Sequence, residues 1–523
     1  MSLPLHRRSF LQSAAAGSAV LTVPGVLAGC VDAQRRGVPT SPATAVTATP
    51  PANPFDAWYG IDETAVRRAM TALASRGADH ADIYFQHSRS NSVSYQDGII
   101  ARAYSNVTQG VGMRVVIGER VGYAYTEELT PEALERTAKS AALFAQGSPV
   151  APPESFAAVG RPDRYALEVP WSEVGVDQKL PLIEKVATMA AASDPAVEKV
   201  SVHWSDGEER ILVATLDGKL VSDARPMTRL RISLTAKKNG QTQSGGSNLA
   251  ARDGIGFYTD ERLRTVVEEA RERTMVLFDA RRPRAGELPV VLAAGASGIL
   301  LHEAIGHGME ADFNRKNTSI YSEMIGKKIA PDFVTIVDDG TLDKERGALN
   351  VDDEGNEAQR TVLVDRGVLV SYLHDGISAR HYGVEPTGSG RRESYRHAPL
   401  PRMRATYMEN GPHTREEIIA SVKNGIIAET FTNGQVQIGA GDYTFYIKNG
   451  WLIEDGKVTA PIKDTNIIGN GPETLRAVTM AANDSKLDTG GWTCGKDGQG
   501  VPVSQGLPTV LVSKMNVGGE NRA

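Results

Sequence analysis

The stretch LAAGASGILLHEAIGH, residues 292–307, organises the reading of the whole chain. Its first ten residues are small and apolar, so they read as a buried lead-in that delivers His302, Glu303 and His307 to the interior. Zinc hydrolases need neutral imidazole ligands and a nearby carboxylate to take a proton from the attacking water. The familiar arrangement, H-E-x-x-H, sets its histidines four apart on one helical face. Here they are five apart. On a regular α-helix a spacing of four separates side chains by about 40°, whereas five separates them by about 140°. A wider π-type turn would bring the two rings back together, and Gly306 is read as supplying the flexibility for it. Against this stands the plainer reading, since a short H-E-x-x-x-H match arises by chance and helical histidines are ordinarily surface or core residues. The apolar lead-in favours the metal, because a buried histidine pair with a carboxylate needs a physical reason.

A third ligand has to come from elsewhere. Cys494 lies in Gly490-Gly491-Trp492-Thr493-Cys494-Gly495-Lys496-Asp497-Gly498, read as a glycine-rich loop. A thiolate is a strong zinc ligand, and two histidines plus a cysteine leave a fourth position for water. A buried structural cysteine is the alternative. His374, His381, His397, Glu310 and Asp312 compete for the same role, and spacing does not choose among them. The same loop fits G-x-x-x-x-G-K, but Asp497 replaces the Ser or Thr that would hold magnesium and no helix pattern follows, so a nucleotide P-loop is excluded.

Working outward, the pattern is α+β. Strand-like runs at residues 81–86 and 112–117 are punctuated by Asp97-Gly98 and Gly118-Glu119 turns. Thr130-Pro131 opens a helix to about Ala145, another covers 178–192, and Thr259 caps one reaching Phe278. Strands are expected at 201–203, 211–215 and 230–236. The segment ARRPRAG (280–286) reads as a connection, and Leu288–Ala293 as a buried strand feeding the metal helix. Beyond it short strands alternate with glycine turns, and helices are expected near 415–423 and 472–482. This predicts an N-terminal mixed α/β antiparallel sheet region over 57–285. A β-rich C-terminal domain carrying the metal helix would occupy 286–523.

The N-terminus reads differently. HRRSFLQ (6–12) places twin arginines before an alanine-rich apolar run that ends in Leu27-Ala28-Gly29-Cys30. This reads as a Tat-type export signal with a lipoprotein-like box over residues 1–30, Cys30 being the lipidated residue; a plain cleavable signal or a short hydrophobic anchor is the alternative. A Pro/Ala/Thr-rich linker follows over 31–56. A periplasmic or cell-envelope location is therefore expected. Two cysteines in 523 residues exclude a disulfide-built scaffold. The hydrophobic and charged fractions, 41% and 23%, permit a large core. The net charge is −6 with no basic patch, which argues against nucleic-acid binding.

The run HEAIGHGMEADFNRKNTS (302–319) resembles the signature of the TldD/PmbA metallopeptidase family. So do TIVDDGT (335–341), ALNVDDEG (348–355), PTGSGRRESY (386–395), PRMRATYM (401–408), LIEDGKV (452–458) and CGKDGQ (494–499). The likeness spans roughly residue 60 to the end. It implies Zn2+ held by His302, His307 and Cys494, with Glu303 as the catalytic acid-base. It also implies cleavage of unfolded or flexible peptides, and a dimer with a PmbA-like subunit or with a second copy. Tyr395, Arg391 and Arg392 are candidates to stabilise the oxyanion, though no pattern singles one out. The competing function class is a non-catalytic peptide-binding or assembly lipoprotein with a structural zinc.

Overall fold

Asp97-Gly98 and Asn239-Gly240 each place two successive residues at positive φ, 50° and 85° in the first and 52° and 79° in the second. Such pairs make the two-residue hairpin turns that match strand twist. They join His80–Gln96 to Ile99–Ile117, and Lys219–Lys238 to Gln241–Ala251. The computed structural model describes residues 53–520, so the stretch read as an export signal, with Cys30, lies outside the described residues. At the start of that range Asn53 caps the helix Pro54–Tyr59, and Phe55 is buried against Phe85. The folded body thus takes in the last residues read as linker.

The N-terminal sheet has seven strands. Its main order is Arg120–Thr126, Ile99–Ile117, His80–Gln96, Val197–Thr215 and Lys219–Lys238, with Ala157–Ala158 and Gln241–Ala251 both paired to the last. The strands are far longer than the sequence pattern marked. Hydrophobic alternation fades through Ser88–Ser92, but main-chain pairing continues across it. Helices Glu63–Leu73, Pro131–Ala142, Val176–Ala191 and Asp260–Met275 cover one face, where Ile83, Phe85, Trp204 and Ile232 point. The opposite face, with Tyr84, Ile211 and Val213, packs on Tyr395 from the C-terminal half.

That half is built on two sheets. In one, Asn424–Gln437, Gly286–Leu292, Val510–Val517, Thr465–Asn470 and Asp442–Glu454 follow in order. The first and last of these also pair with each other, which closes the sheet into a ring. The second sheet includes Ile336–Asp339, Ala405–Met408 and Gln499–Leu507. The helix Gly298–Leu301 lies in the shared core between them, so close to the second sheet that a Cβ on Gly298 would fall 2.5 Å from the Gly506 nitrogen. The helix read over 472–482 is shorter: Gly471–Arg476 is helical, and Val478–Ala481 is a strand on Val510–Val517. The spacing of Leu475, Val478 and Ala482 suits a helix, but an available strand edge overrides it.

Candidate metal centre

After Leu301 the chain passes directly into a π-helical turn, His302–Gly306, then a 3-10 turn, His307–Met309. The His307 N–H donates to the His302 carbonyl, five residues back. This closure sets the two imidazoles side by side, with ring centroids 5.1 Å apart and planes at 81°. The wider turn read from the spacing is present, but Gly306 serves it differently. Its φ of −60° and ψ of −48° are ordinary helical values, so no special flexibility is used. What it provides is room, because a Cβ there would lie 2.1 Å from Met403 Sδ. Gly471 does the same from outside the turn, where a Cβ would meet the Ala304 carbonyl at 2.1 Å.

Cys494 is on a strand and not in a loop. Trp492–Lys496 pairs with Gln499–Leu507 through Asp497-Gly498, whose φ values of 50° and 72° form the hairpin turn. β-Branched and aromatic neighbours and the Asp-Gly turn outweigh the glycines. The strand carries the thiol to 3.4 Å from His307 Nε2. Donor atoms of His302, His307 and Cys494 all lie within 4.8 Å of one another, and all three residues are buried. Among the described residues no other His/Cys/Asp/Glu group converges in this way.

Behind the trio runs a chain of charges. His307 Nδ1 is 3.0 Å from Glu310, and Lys496 Nζ reaches Glu310 at 3.1 Å and Asp312 at 2.6 Å. The Met403 N–H also donates to Glu310, at 3.3 Å. Burial alone would raise the Glu310 carboxyl, but Lys496 and His307 hold it down at about 2. Burial would likewise raise the Cys494 thiol, yet His302 and His307 pull it well below its usual range. Burial would lower His307, and Glu310 and Cys494 lift it well above. Such a backing carboxylate fixes ring orientation and leaves Nε2 facing the trio. Glu310 and Asp312, considered as ligands in their own right, thus support the site from one layer out.

Glu303 stands apart from this buried set. Its side chain is 24% exposed and its carboxylate lies 3.9 Å from His307 Nε2. It borders a cleft of about 920 Å³ with His307, Phe313, Gln437, Tyr443 and Lys496. The other histidines are elsewhere: His381 pairs with Glu119, His397 meets Ser394, and burial lowers His374 to about 4. The oxyanion candidates are engaged as well. Arg391 donates to the Met403 and Pro502 carbonyls, Arg392 to Asp82 and the Asp353 carbonyl, and Tyr395 to Glu127. None of the three borders the cleft.

Residues 81–145, 169–278 and 285–519 match, in that order, the models of PmbA/TldA metallopeptidase domain 1, central domain and C-terminal domain. The chain is 41% identical over 457 residues to the metalloprotease TldD homolog of Haemophilus influenzae, covering 86% of this chain and 95% of that one. This chain belongs to the TldD/PmbA metallopeptidase family. A more distant relative, from Saccharolobus solfataricus, is named zinc metalloprotease TldD homolog and is 28% identical over 447 residues, covering 85% of this chain and 97% of that one. The fold agrees with the TldD/PmbA assignment. The crystal structure of TldE from Thermococcus kodakarensis superposes with a TM-score of 0.68 at 20% identity, over 87% of this chain and 99% of that one.

Proposed function

We propose that the chain is a zinc peptidase of the H-E-x-x-x-H type. His302, His307 and Cys494 hold the ion, and Glu303 handles the protons. The observation that carries this reading is a buried set of two imidazoles and a thiol beside a cleft-lining carboxylate. The residues fit zinc: the donors are of the types it prefers. His302 Nδ1 is also buried without a hydrogen-bond partner, which leaves this site short of polar satisfaction from protein atoms alone. Bound zinc supplies Lewis acidity, which makes water acidic near neutral pH and polarises a scissile carbonyl. Glu303 takes a proton from the attacking water and passes it to the leaving amine, help typically worth about 10²–10⁴-fold. Glu310, anchored by Lys496, keeps the His307 ring turned toward the trio. Three protein donors, not four, favour the catalytic reading over a structural zinc.

The substrate is an unfolded or flexible peptide. The strand Asn424–Gln437 pairs with Gly286–Leu292 only through Ala428. Its later residues Gln435, Val436 and Gln437 border the cleft. An extended peptide added to that edge gains main-chain hydrogen bonds that do not depend on its sequence. The twin arginines and Cys30 support export by the Tat route and a lipid anchor in the cell envelope. The partner would be a PmbA-like subunit or a second copy. The mass of the mature N-terminus tests the anchor, since an unmodified Cys30 would remove it.

Hydrolysis of flexible peptides, read by mass spectrometry beside a Glu303→Gln variant of matched zinc content, tests the activity. Cutting by the wild type alone supports the reading. No cutting by either, with a candidate partner added, overturns it in favour of a peptide-binding protein with a structural zinc.

A further inference from the structure

On the reverse side of the Cys494 hairpin is a second cavity, of about 360 Å³. Successive strand residues point to opposite faces. Thr493 therefore faces away from the metal trio, and it borders this cavity together with Pro502, its cross-strand partner. Five buried arginines border the cavity too: Arg225, Arg252, Arg346, Arg391 and Arg392. Two of these are neutralised. Arg225 pairs with Asp353 at 2.6 Å and Asp223 at 3.2 Å, and Arg392 pairs with Asp82 at 3.1 Å.

The other three find only neutral partners among the described residues. Arg346 donates to the Trp492 carbonyl (2.9 Å), the Thr493 hydroxyl (3.3 Å) and Met227 sulfur. Arg391 donates to the carbonyls of Met403 (2.5 Å) and Pro502 (2.7 Å). Arg252 has a long bond to the Pro226 carbonyl (3.4 Å) and lies over the Tyr165 ring, and its Nε has no partner at all. The acidic residues that border the cavity contact none of these three arginines directly. Asp206 binds Lys179, Glu208 binds Arg210, Glu209 and Asp353 bind Arg225, and Glu393 accepts from the Gly500 N–H.

Guanidinium groups stay charged in proteins, and burying one without a counter-charge is costly. Burial and then neighbouring arginines press Arg346 down to about 9, and Arg391 likewise to about 9. Nothing inside the chain offsets that pressure on Arg346, whereas Asp353 offsets part of it on Arg391, as Glu209 and Asp223 do on Arg252. Planar guanidinium forks match carboxylate and phosphate oxygens in pairs.

We propose that this cavity is an oxyanion site, in which Arg252, Arg346 and Arg391 take a phosphate or carboxylate group behind the Cys494 hairpin. The bound anion joins the N-terminal sheet, through Arg252, to the hairpin that carries the Cys494 strand. It is separate from the peptide cleft and does not depend on the zinc reading.

The test is calorimetric titration of the zinc-loaded mature chain in a buffer free of polyvalent anions. Inorganic phosphate forms one arm. A short peptide with a free C-terminal carboxylate, beside its C-terminal amide, forms the other. Saturable binding in the phosphate arm assigns a phosphoryl ligand, and binding of the acid but not the amide assigns a carboxylate. Arg346→Gln should weaken that binding by about tenfold or more, through loss of one charge-assisted contact. Arg346→Lys, which keeps the charge but not the fork, should fall between. A selenate soak located by anomalous scattering needs no variant, and should place the ion against Arg252, Arg346 and Arg391. No saturable binding in either arm, binding unchanged in Arg346→Gln, or selenate only at other positions overturns the proposal.

Discussion

The two faces of the Trp492–Lys496 hairpin bury charge in opposite ways. Along the Cys494 face four groups alternate in sign: His307 faces Glu310, Glu310 faces Lys496, and Lys496 faces Asp312. On the Thr493 face Arg252, Arg346 and Arg391 meet carbonyls, a hydroxyl, a thioether and a ring. The first arrangement is internally balanced, and so serves to hold donor atoms still. The second is unbalanced, and its unmet demand is for an anion from outside. Burial alone therefore does not distinguish a support from a binding site; the identity of the partners does.

Variants can break this comparison in order of effect. Cys494→Ala or His302→Ala removes a donor from the trio, and elemental analysis should show zinc falling from about one ion per chain toward none, with hydrolysis at background. Zinc retained at full stoichiometry in both would remove the trio as the metal site. Glu303→Gln leaves the donors intact, so it should keep its zinc while single-turnover hydrolysis falls by about 10²–10⁴-fold.

Glu310→Gln breaks the charge chain behind His307. Competition with a chelator should show zinc affinity lower by about 10–100-fold, whereas Arg346→Gln, on the other face, should leave zinc affinity unchanged. Equal losses in the two variants would erase the distinction between the faces. Gly306→Ala drives a methyl into Met403, and urea unfolding should show a loss of about 1–3 kcal/mol. Combining it with Met403→Ala should recover part of that loss; no recovery would show that the glycine is needed for another reason.

A third buried cluster crowds anions instead of cations. Burial, then Glu354, pushes Asp352 up from its usual 3.8 to about 7. The folded state then binds this proton more tightly than the unfolded chain. Its contribution is complete below about pH 4 and is lost as pH rises toward 7, at no more than about 1.4 kcal/mol per pH unit. Denaturation across that window should show stability falling with rising pH, and Asp352→Asn should flatten the slope. An unchanged slope would place the titration on another group.

Much of this was legible in the residues. Five-residue spacing of His302 and His307 demanded a widened turn, and the π-helix supplies it. Asp97-Gly98 marked a hairpin turn, and Thr130 and Thr259 marked helix starts, because caps and primed turns are local chemistry. Glu310 and Asp312 stood out as acids near the motif, but nothing local separated a ligand from a ligand's support. The strand that carries Cys494 was hidden by its glycines, and the helix expected through Ala482 by a spacing that suits either element.

Local residue patterns are enough to specify the family, the α+β class, the pair of histidines with their carboxylate, and the turns that order the strands. Those features are written in spacings of a few residues, where backbone geometry allows few alternatives. Tertiary structure alone decided that Cys494 meets His307, that Gly306 makes room for Met403, and that Arg252, Arg346 and Arg391 share one cavity. These residues are far apart in the chain. Which of their charges end up balanced depends on how the sheets pack, and no local pattern records that.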